Sequence, residues 1–383
     1  MKKELLLVAL GIALFLAGCG QAPDNLARDL QAKLTTKLDD PTQCPSGTSA
    51  DVQALINAAG PDGVIQIPAG CYEITDSVGV PAGKRVFGAG MDKTILYRNP
   101  DRSRDRDRPI FWVFGRGESE TQVSGIAFLG VRDTNDKGED YGIVLSNIPN
   151  FRVDHCYFES FGWAGVRTEG MSRGVIDHSV FVDNFKKGID NLGYGVVVYG
   201  ANQWPDDPGA GTADAVFVED SLFVGNRHAI ASSGGAHYVF RYNRVQRNVI
   251  ACSVDAHGLG FGWSRGTRYV EIYGNTVEEP VYKECGIGIR GGDGVIFGGI
   301  GANYEDTAGI GQLRQRVGHG AGTKSRGQTD HGGAVSETGA VIDVVGADGG
   351  PGKFLDQVVL FVGDLGGSQH RHCVGAVLLY HPF

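Results

Sequence analysis

The sequence predicts an all-β solenoid, in which short strands stack coil upon coil over most of the chain. Glycine accounts for 60 of the 383 residues, about twice its usual share, and each interior glycine weakens a helix by about 1 kcal/mol. The glycines have no three-residue period, which excludes collagen. From about residue 140, a unit of short apolar segments recurs at steps between 23 residues (143 to 166) and 34 residues (196 to 230). Such a repeat is typical of a solenoid.

Composition limits the classes of function. Hydrophobic residues make up 42% of the chain and charged residues 21%, so the protein can bury a core and is not disordered. The formal net charge is −9, and an acidic balance disfavours a general nucleic-acid binder. We therefore expect a folded protein with no nucleic-acid partner.

The N-terminus has the features of an export signal over residues 1–18. Lys2 and Lys3 precede an apolar run at 5–16, which is too short to span a bilayer and suits a signal peptide. The run ends in Leu-Ala-Gly-Cys at 16–19, which resembles a bacterial lipobox. The resemblance implies a lipid on Cys19 and a protein held at the cell envelope, on the outer membrane or cell surface. An ordinary secretory signal is the alternative.

Residues 19–47 are expected to form a polar tether with one short helix around 25–38. Six further cysteines follow Cys19, and export permits disulfides. The pair Cys44–Cys71 is favoured because it would join the tether to the first strands. Unpaired, buried cysteines are the alternative.

Local signals define the first elements of the body. Thr48 or Ser49 can cap a short helix that carries Val52, Leu55 and Ile56 on one face. Short apolar segments at 64–67, 72–74 and 86–87 are then broken by glycine and proline, as in strands. The capping helix, IQIPAGCYEI at 65–74 and VFGAG at 86–90 together resemble the entry to the pectin-lyase-like family of right-handed parallel β-helices.

Three positions recur in each unit between 140 and 298. A small residue precedes an inward aliphatic residue, which is in turn Ile143, Val166, Val196, Ile230, Val254 and Ile287. A second inward series is Val153, Ile176, Val218, Phe240 and Ile272. Three residues later comes a small residue, mostly polar, in the series Cys156, Ser179, Ser221, Asn243 and Asn275. This last series resembles the asparagine ladder of the pectin-lyase-like family. We therefore predict one right-handed parallel β-helix over about 48–298.

The repeat stops near residue 298. Residues 299–383 are rich in glycine and hold five of the ten histidines, at 319, 331, 370, 372 and 381. Segments 341–345 and 357–362 are candidate strands. The tail is either a divergent end of the β-helix or a translation out of frame, and the sequence does not decide between the two.

Alternation of side chains along the strands predicts two outward columns on one sheet. The first column is Val144, Arg167, Val197, Ala231, Asp255 and Gly288. The second column is Ser146, Glu169, Tyr199, Ser233, His257 and Arg290. Successive coils lie about 4.8 Å apart, so His257 and Arg290 should be neighbours, with Asp255 on the same face.

The family resemblance implies a catalytic groove along this sheet. In β-elimination on a polyuronide, Arg290 would bind the carboxylate, and His257 or Tyr199 would serve as base or acid. Asp255 would orient His257 or hold a cation. All four side chains are expected to be exposed, and an ordinary solvated sheet face is the alternative. The candidate substrate-binding residues are Arg167, Glu169, Trp163 and Trp263.

A second outward line consists of Asp154, Asp177 and Glu219 and ends at Arg241. Stacked carboxylates repel unless a cation or an arginine neutralises them. The line predicts either a Ca²⁺ site or a salt-bridge ladder, and the ladder is favoured. Ca²⁺ is the only cofactor considered, and none is certain.

We predict a lipid-anchored envelope protein, a monomer, that acts on an acidic polysaccharide, foremost as a lyase. A non-catalytic glycan-binding or surface-display β-helix is the first alternative. A glycoside hydrolase ranks last, because an inverting enzyme needs two carboxyl groups about 6.5–9.5 Å apart. Asp255 has no carboxylate on the adjacent coils of its column.

Overall fold

The computed structural model describes residues 23–39, 44–60, 63–99, 108–115, 117, 119–131, 140–185, 192–201, 211–247, 252–258, 266–278, 287–289, 294–298, 300–303, 363–364 and 373–375. Cys19, Trp263 and Arg290 lie outside these residues, as do the candidate strands at 341–345 and 357–362. Their predicted roles are therefore not addressed by the structure.

The chain forms a right-handed parallel β-helix, which confirms the predicted fold class. Successive coils contribute strands to three sheets. Sheet 1 has nine strands: β2 (Val64–Gln66), β5 (Arg85–Phe87), β8 (Thr121–Ser124), β11 (Phe151–Asp154), β14 (Gly174–Asp177), β17 (Val216–Glu219), β20 (His237–Arg241), β23 (Tyr269–Tyr273) and β26 (Gly294–Gly298).

Sheet 2 has twelve strands, of which the first ten run parallel to one another. They are β1 (Ser46–Thr48), β3 (Gly70–Glu73), β6 (Thr94–Tyr97), β9 (Ala127–Leu129), β12 (Tyr157–Glu159), β15 (Val180–Val182), β18 (Leu222–Val224), β21 (Arg244–Gln246), β24 (Thr276–Glu278) and β27 (Ile300–Asn303). The last two, β28 (Gly363–Asp364) and β29 (Cys373–Gly375), pair antiparallel.

Sheet 3 has eight parallel strands and carries the candidate site. They are β4 (Val78–Pro81), β7 (Pro109–Phe114), β10 (Tyr141–Ser146), β13 (Ala164–Glu169), β16 (Tyr194–Tyr199), β19 (His228–Ser233), β22 (Val254–Ala256) and β25 (Ile287–Ile289). The predicted inward series from Ile143 to Ile287 pairs position for position from β10 to β25 and is buried throughout.

In three units the small residue is a glycine that lies against a stack of phenylalanine rings inside the coils: Gly142, Gly165 and Gly195. Phe158 and Phe181 stack with centroids 4.9 Å apart, and Phe181 and Phe223 stack at 4.6 Å. A Cβ added at Gly165 would lie 3.0 Å from Phe181 Cδ1, and one at Gly195 would lie 2.6 Å from Phe223 Cδ1. Only a residue with little or no side chain leaves the rings room to stack.

The predicted polar ladder is present and links successive coils by hydrogen bonds. The amide of Cys156 donates to Ser179 Oγ at 3.2 Å, and the amide of Ser179 donates to Ser221 Oγ at 3.1 Å. The amide of Ser221 donates to Asn243 Oδ1 at 3.1 Å, and that of Asn243 donates to Asn275 Oδ1 at 2.9 Å. These side chains satisfy buried amides at a turn, where the sheet ladder is interrupted.

A second, shorter ladder was not predicted. The amide of Phe161 donates to Asn184 Oδ1 at 3.0 Å, and Asn184 Nδ2 donates to Asn226 Oδ1 at 2.8 Å. Both asparagines follow strands of sheet 2, at the corner that leads to sheet 3. Side-chain oxygens therefore accept hydrogen bonds from backbone amides at two corners of the coil, one between sheets 1 and 2 and one between sheets 2 and 3.

Two helices flank the N-terminal coils. Helix α2 (Ser49–Ala58) is the predicted capping helix; its N-cap is Thr48, which forms a capping box with Asp51. Helix α1 (Pro23–Asp39) covers the short helix expected within 19–47. No helix in the described part of the chain is long and apolar enough to cross a membrane.

Helix α1 packs on the outer surface of sheet 2. Its Leu30 and Leu34 form one buried cluster with outward sheet residues such as Ile95 and Val182. Gln31 Nε2 donates to Glu159 Oε1 at 2.9 Å. The polar-tether interpretation therefore does not hold for Pro23–Asp39, because one face of the helix is apolar and covers the sheet.

The predicted disulfide between Cys44 and Cys71 is confirmed, with a Cα–Cα distance of 5.5 Å. It joins the segment after α1 to strand β3. Cys252 is also disulfide-bonded, and Cys156 is a free, buried thiol. The last described coil extends to Asn303, because β27 pairs with β24 and places Ala302 opposite Val277.

The ring stack predicts a large stability effect at its centre. We expect Phe181→Ala to lower the free energy of unfolding by about 3–5 kcal/mol, because it removes a fully buried ring that contacts rings on both neighbouring coils. Urea unfolding measures the change. Trp112→Ala, which truncates an exposed ring, is the control and should stay within about 0.5 kcal/mol. Equal effects of the two variants would contradict the stack's role in stability.

Candidate functional site

The outer face of sheet 3 carries both predicted outward columns. Val144, Arg167, Val197, Ala231, Asp255 and Gly288 pair in that order from β10 to β25. In the second column, Ser146 pairs with Glu169 and Tyr199 pairs with Ser233. The amide of His257 donates to the carbonyl of Ser232, which brings His257 beside Ser233. The alternation rule therefore placed the described members of both columns on one face.

Asp255 and His257 form a close pair at the C-terminal part of this face. His257 Nε2 lies 2.8 Å from Asp255 Oδ2. Asp255 is only 3% exposed, and the side chain of His257 is 13% exposed. The expectation that both side chains are exposed is wrong for Asp255, because the surface around it is covered: Val197 and Ala231 on the same column are buried as well.

A second histidine, which the sequence analysis missed, also lies close to Asp255. His228 Nε2 is 3.6 Å from Asp255 Oδ2, and its Nδ1 is hydrogen-bonded to the carbonyl oxygen of Cys252. Its ring stacks on Tyr194 at 5.5 Å. A signal was available, because Tyr141, Tyr194 and His228 each stand two residues before an inward aliphatic residue.

Burial determines the charge of His228. Burial lowers the pKa of His228 to about 4, against the attraction of Asp255, while Arg227 lowers it further. The ring is therefore neutral near pH 7, and its Nδ1–H donates to the Cys252 carbonyl.

Arg167, Glu169 and Tyr199 form a separate cluster nearer the N-terminal end. Arg167 Nη2 donates to Glu169 Oε2 at 2.7 Å, and Nη1 donates to Tyr141 Oη at 2.9 Å. The guanidinium lies 5.3 Å from the centroid of Tyr141 and 5.1 Å from that of Tyr199. Tyr199 stands two coils from His257, about 10 Å away. The two clusters therefore share a face and are centred about two coils apart.

Trp163 belongs to the apolar layer beside this cluster. Its ring lies 5.8 Å from that of Tyr141 and packs against a buried group that includes Val144 and Tyr194. Trp163 is thus in part a packing residue, which is the commoner role of a tryptophan at a turn; its candidate role in substrate binding stays a prediction.

The acidic line on sheet 1 is satisfied by protein side chains. Asp177 receives two hydrogen bonds from Arg152, at 3.1 and 2.7 Å, and Glu219 is paired with Arg241. Asp154 accepts from Gln122 at 2.8 Å and Ser124 at 3.0 Å. No group of three or more His, Cys, Asp or Glu among the described residues is arranged to hold a metal ion. The contacts of Asp177 and Glu219 with arginines are those of a salt-bridge ladder.

Two histidines complete this line. His155 Nδ1 lies 2.7 Å from Asp154 Oδ2, and His178 Nδ1 lies 2.7 Å from Asp177 Oδ2. The two imidazoles stack at 5.1 Å. The hydrogen bond to Asp154 raises the pKa of His155, so protonation of this ring is favoured beside the acidic ladder.

Comparison with known proteins assigns no family to the chain. No model of a protein family matches it, and no curated protein matches it. Among solved structures, an alginate lyase from Paenibacillus is 17% identical, with 71% of this chain and 97% of that chain covered and a TM-score of 0.43. A mannuronic-acid-specific family 6 polysaccharide lyase from the human gut microbiota is 17% identical, with 65% and 62% covered and a TM-score of 0.40.

A protein of Geobacillus virus E2, ORF18, is 12% identical, with a TM-score of 0.43; the match covers 64% of this chain and half of the viral chain. Identities and TM-scores at this level transfer no activity to the chain. What defines the protein is its own architecture: a parallel β-helix with a buried His–Asp–His cluster and an Arg–Tyr cluster on one outer face.

His228 predicts a pH dependence of stability. The unfolded histidine binds a proton below about pH 6.5, whereas the folded one stays neutral down to about pH 4. Its contribution is therefore complete above pH 6.5 and is lost as the pH falls to 4, a change of about 3 kcal/mol. We expect His228→Phe to flatten the slope of the free energy of unfolding between these pH values, measured by urea unfolding.

The control for this prediction is His155→Ala. The pKa of His155 is raised, so its contribution to stability is present at low pH and lost as the pH rises, which is the opposite sign. A steep, unchanged slope in His228→Phe would show that His228 is not held neutral in the folded protein.

Proposed function

We propose that this β-helix cleaves an acidic polysaccharide by β-elimination on the outer face of sheet 3. The observation that carries the proposal is the contact between His257 and the buried carboxylate of Asp255 at 2.8 Å. A histidine in such a contact is held in one orientation, which suits a general base.

The chemistry follows from the pairing. His257 donates its Nε2–H to Asp255, which leaves Nδ1 to accept a proton. His257 takes the proton from the carbon next to the uronate carboxylate, and that electron pair forms a carbon–carbon double bond as the glycosidic C–O bond breaks. The leaving oxygen takes up a proton from solvent water, and His257 then returns its own proton to solvent, which restores the starting state. The charge of Asp255 stabilises the imidazolium that forms.

We assign the remaining candidate residues to binding of the substrate. Arg290, which comes directly after β25, stays our proposed partner for the uronate carboxylate, because a guanidinium binds a carboxylate bidentately. We assign Tyr199 to binding rather than proton transfer, since its ring packs on Arg167 about two coils from His257. Arg167 and Glu169 remain candidate substrate-binding residues beside it, and Trp263 remains one by its sequence position alone.

A binding protein without catalysis is the second candidate. The low exposure of His257 favours it, since a general base must reach the proton it removes. A hydrolase of the inverting type is disfavoured. Ala231 and Gly288 stand beside Asp255 on the neighbouring coils, so the column supplies no second carboxyl group.

The first test removes the proposed base. We expect His257→Ala to fold normally and to lose at least about a hundredfold in rate, the low end for a missing general base. The assay follows new ultraviolet absorbance from the double bond on a panel of polyuronides. The matched control is His155→Ala, which removes a histidine from a similar Asp pair on sheet 1.

Full activity of a folded His257→Ala variant would move the chemistry elsewhere. Inactivity of the wild type on every polyuronide, together with measurable binding, would favour the second candidate. Equal losses in His257→Ala and His155→Ala would indicate a general effect of histidine removal and would count against the assigned base.

We also propose that the protein acts at the cell envelope as a lipid-anchored monomer. The support is the lipobox-like sequence at 16–19. Labelling cells with a fatty-acid analogue should tag the wild type, and Cys19→Ala should lose the tag. Equal labelling of the two proteins would refute the anchor without bearing on the chemistry.

A further inference from the structure

Two exposed aromatic side chains stand side by side on the outer face of sheet 3. Trp112 is 52% exposed and Phe114 is 45% exposed. Among the described residues only three other large hydrophobic side chains are exposed: Leu26, Val64 and Tyr242. Single exposed apolar residues are ordinary, but an adjacent pair of aromatic rings on a face that also bears the candidate site needs an explanation.

The register of the strands places this pair in line with the His–Asp pair. Trp112 pairs with Val144, which begins the column that runs through Arg167 to Asp255. Trp112 is therefore five coils from Asp255, about 24 Å at 4.8 Å a coil. The aromatic pair, the Arg167–Tyr199 cluster and the Asp255–His257 pair then occupy the start, middle and end of one straight path.

The local structure holds the aromatic pair at the N-terminal end of the path. The rings of Trp112 and Phe114 meet edge to face at 6.3 Å. Phe114 lies over Gly79, where an added Cβ would come within 3.1 Å of the ring. Gln53 of α2 closes this end, because its side chain accepts from the amide of Gly79 at 2.7 Å and donates to the Gly79 carbonyl at 3.1 Å.

We propose that Trp112 and Phe114 form an outlying subsite for sugar rings of the same polysaccharide chain that reaches His257. The inference rests on the proposed function and specifies it: the substrate is a polymer that spans about 24 Å of the sheet. Aromatic faces bind the C–H faces of sugars without needing charge, so the subsite adds affinity while the chemistry stays at the far end.

The occupant follows from the shape of the surface. A protein partner ordinarily covers about 800 Å², and the described part of this face offers no exposed large apolar residue beyond the pair. A linear chain needs only a narrow contact strip, and it would touch the partly exposed side chains of Arg167, Glu169 and His257, which stand above the buried members of the two columns. The rings also lie on the same two columns as Arg167, Glu169 and Tyr199, so a chain that follows the columns passes the middle cluster.

An inactive variant allows binding to be measured without cleavage of the polymer. In the His257→Ala protein, binding of polygalacturonate, polymannuronate and hyaluronan is measured by affinity electrophoresis, each as polymer and as trisaccharide. For the polymer that binds, we expect Trp112→Ala combined with Phe114→Ala to weaken affinity about tenfold or more. Trisaccharide binding should not change. In the active protein, KM for the polymer should rise while kcat stays unchanged.

Two further variants sharpen the test. Tyr242→Ala removes an aromatic ring that is 55% exposed on the side of sheet 1, and it should leave polymer binding unchanged. Trp112→Leu keeps apolar surface without an aromatic face and should bind as weakly as Trp112→Ala. Circular dichroism and urea unfolding confirm that each variant is folded.

The outcomes distinguish the inference from the function on which it rests. A wild type that neither binds nor cleaves any of the three polymers overturns the proposed function and this inference together. If the wild type binds a polymer and the double variant binds it as tightly as Tyr242→Ala does, the subsite alone is overturned. A change in sedimentation on Trp112→Ala, without a change in polymer binding, would assign the rings to a second copy of the chain and would also overturn the subsite.

Discussion

The structure depends on one constraint: parallel strands of successive coils pair residue for residue, so each side chain meets its counterpart about 4.8 Å away. Inside the coils this spacing suits flat rings, and Phe158, Phe181 and Phe223 stack along the axis. Because the rings fill the interior, the facing position must be small, as at Gly165 and Gly195. The same spacing lets one side chain cap the amide of the preceding coil, which gives the polar ladders.

On the outer surfaces the constraint becomes an electrostatic one. A repeated carboxylate at one outward position would place like charges side by side, and sheet 1 relieves this with Arg152, Arg241 and two histidines. Sheet 3 has no repeated carboxylate in its first column, which changes from tryptophan to valine, arginine, valine, alanine and aspartate. Charge pairs between neighbouring coils therefore stabilise sheet 1, whereas the outward side chains of sheet 3 differ from coil to coil.

The His–Asp–His cluster shows what burial adds to that variation. Asp255 Oδ2 lies 2.8 Å from His257 Nε2 and 3.6 Å from His228 Nε2. Burial lowers the pKa of His228 to about 4. A neutral, fully buried histidine and a partly exposed histidine contact the same carboxylate, so the arrangement gives different roles to two identical side chains. The carbonyl of Cys252 accepts the hydrogen bond of His228, and Cys252 is itself disulfide-bonded. The disulfide therefore restrains the backbone that positions His228.

The sequence by itself determined the coils: the inward series from Ile143 to Ile287, the ladder from Cys156 to Asn275 and the capping helix all follow from local periodicity. It also placed Asp255 and His257 on one face, because alternation along a strand is a property of the backbone. Only the tertiary structure decided that Asp255 is buried, that His228 joins it and that α1 docks on sheet 2. These features depend on which elements pack beside the strands and over the sheet. Such contacts join elements far apart in sequence, so the local periodicity of the chain does not predict them.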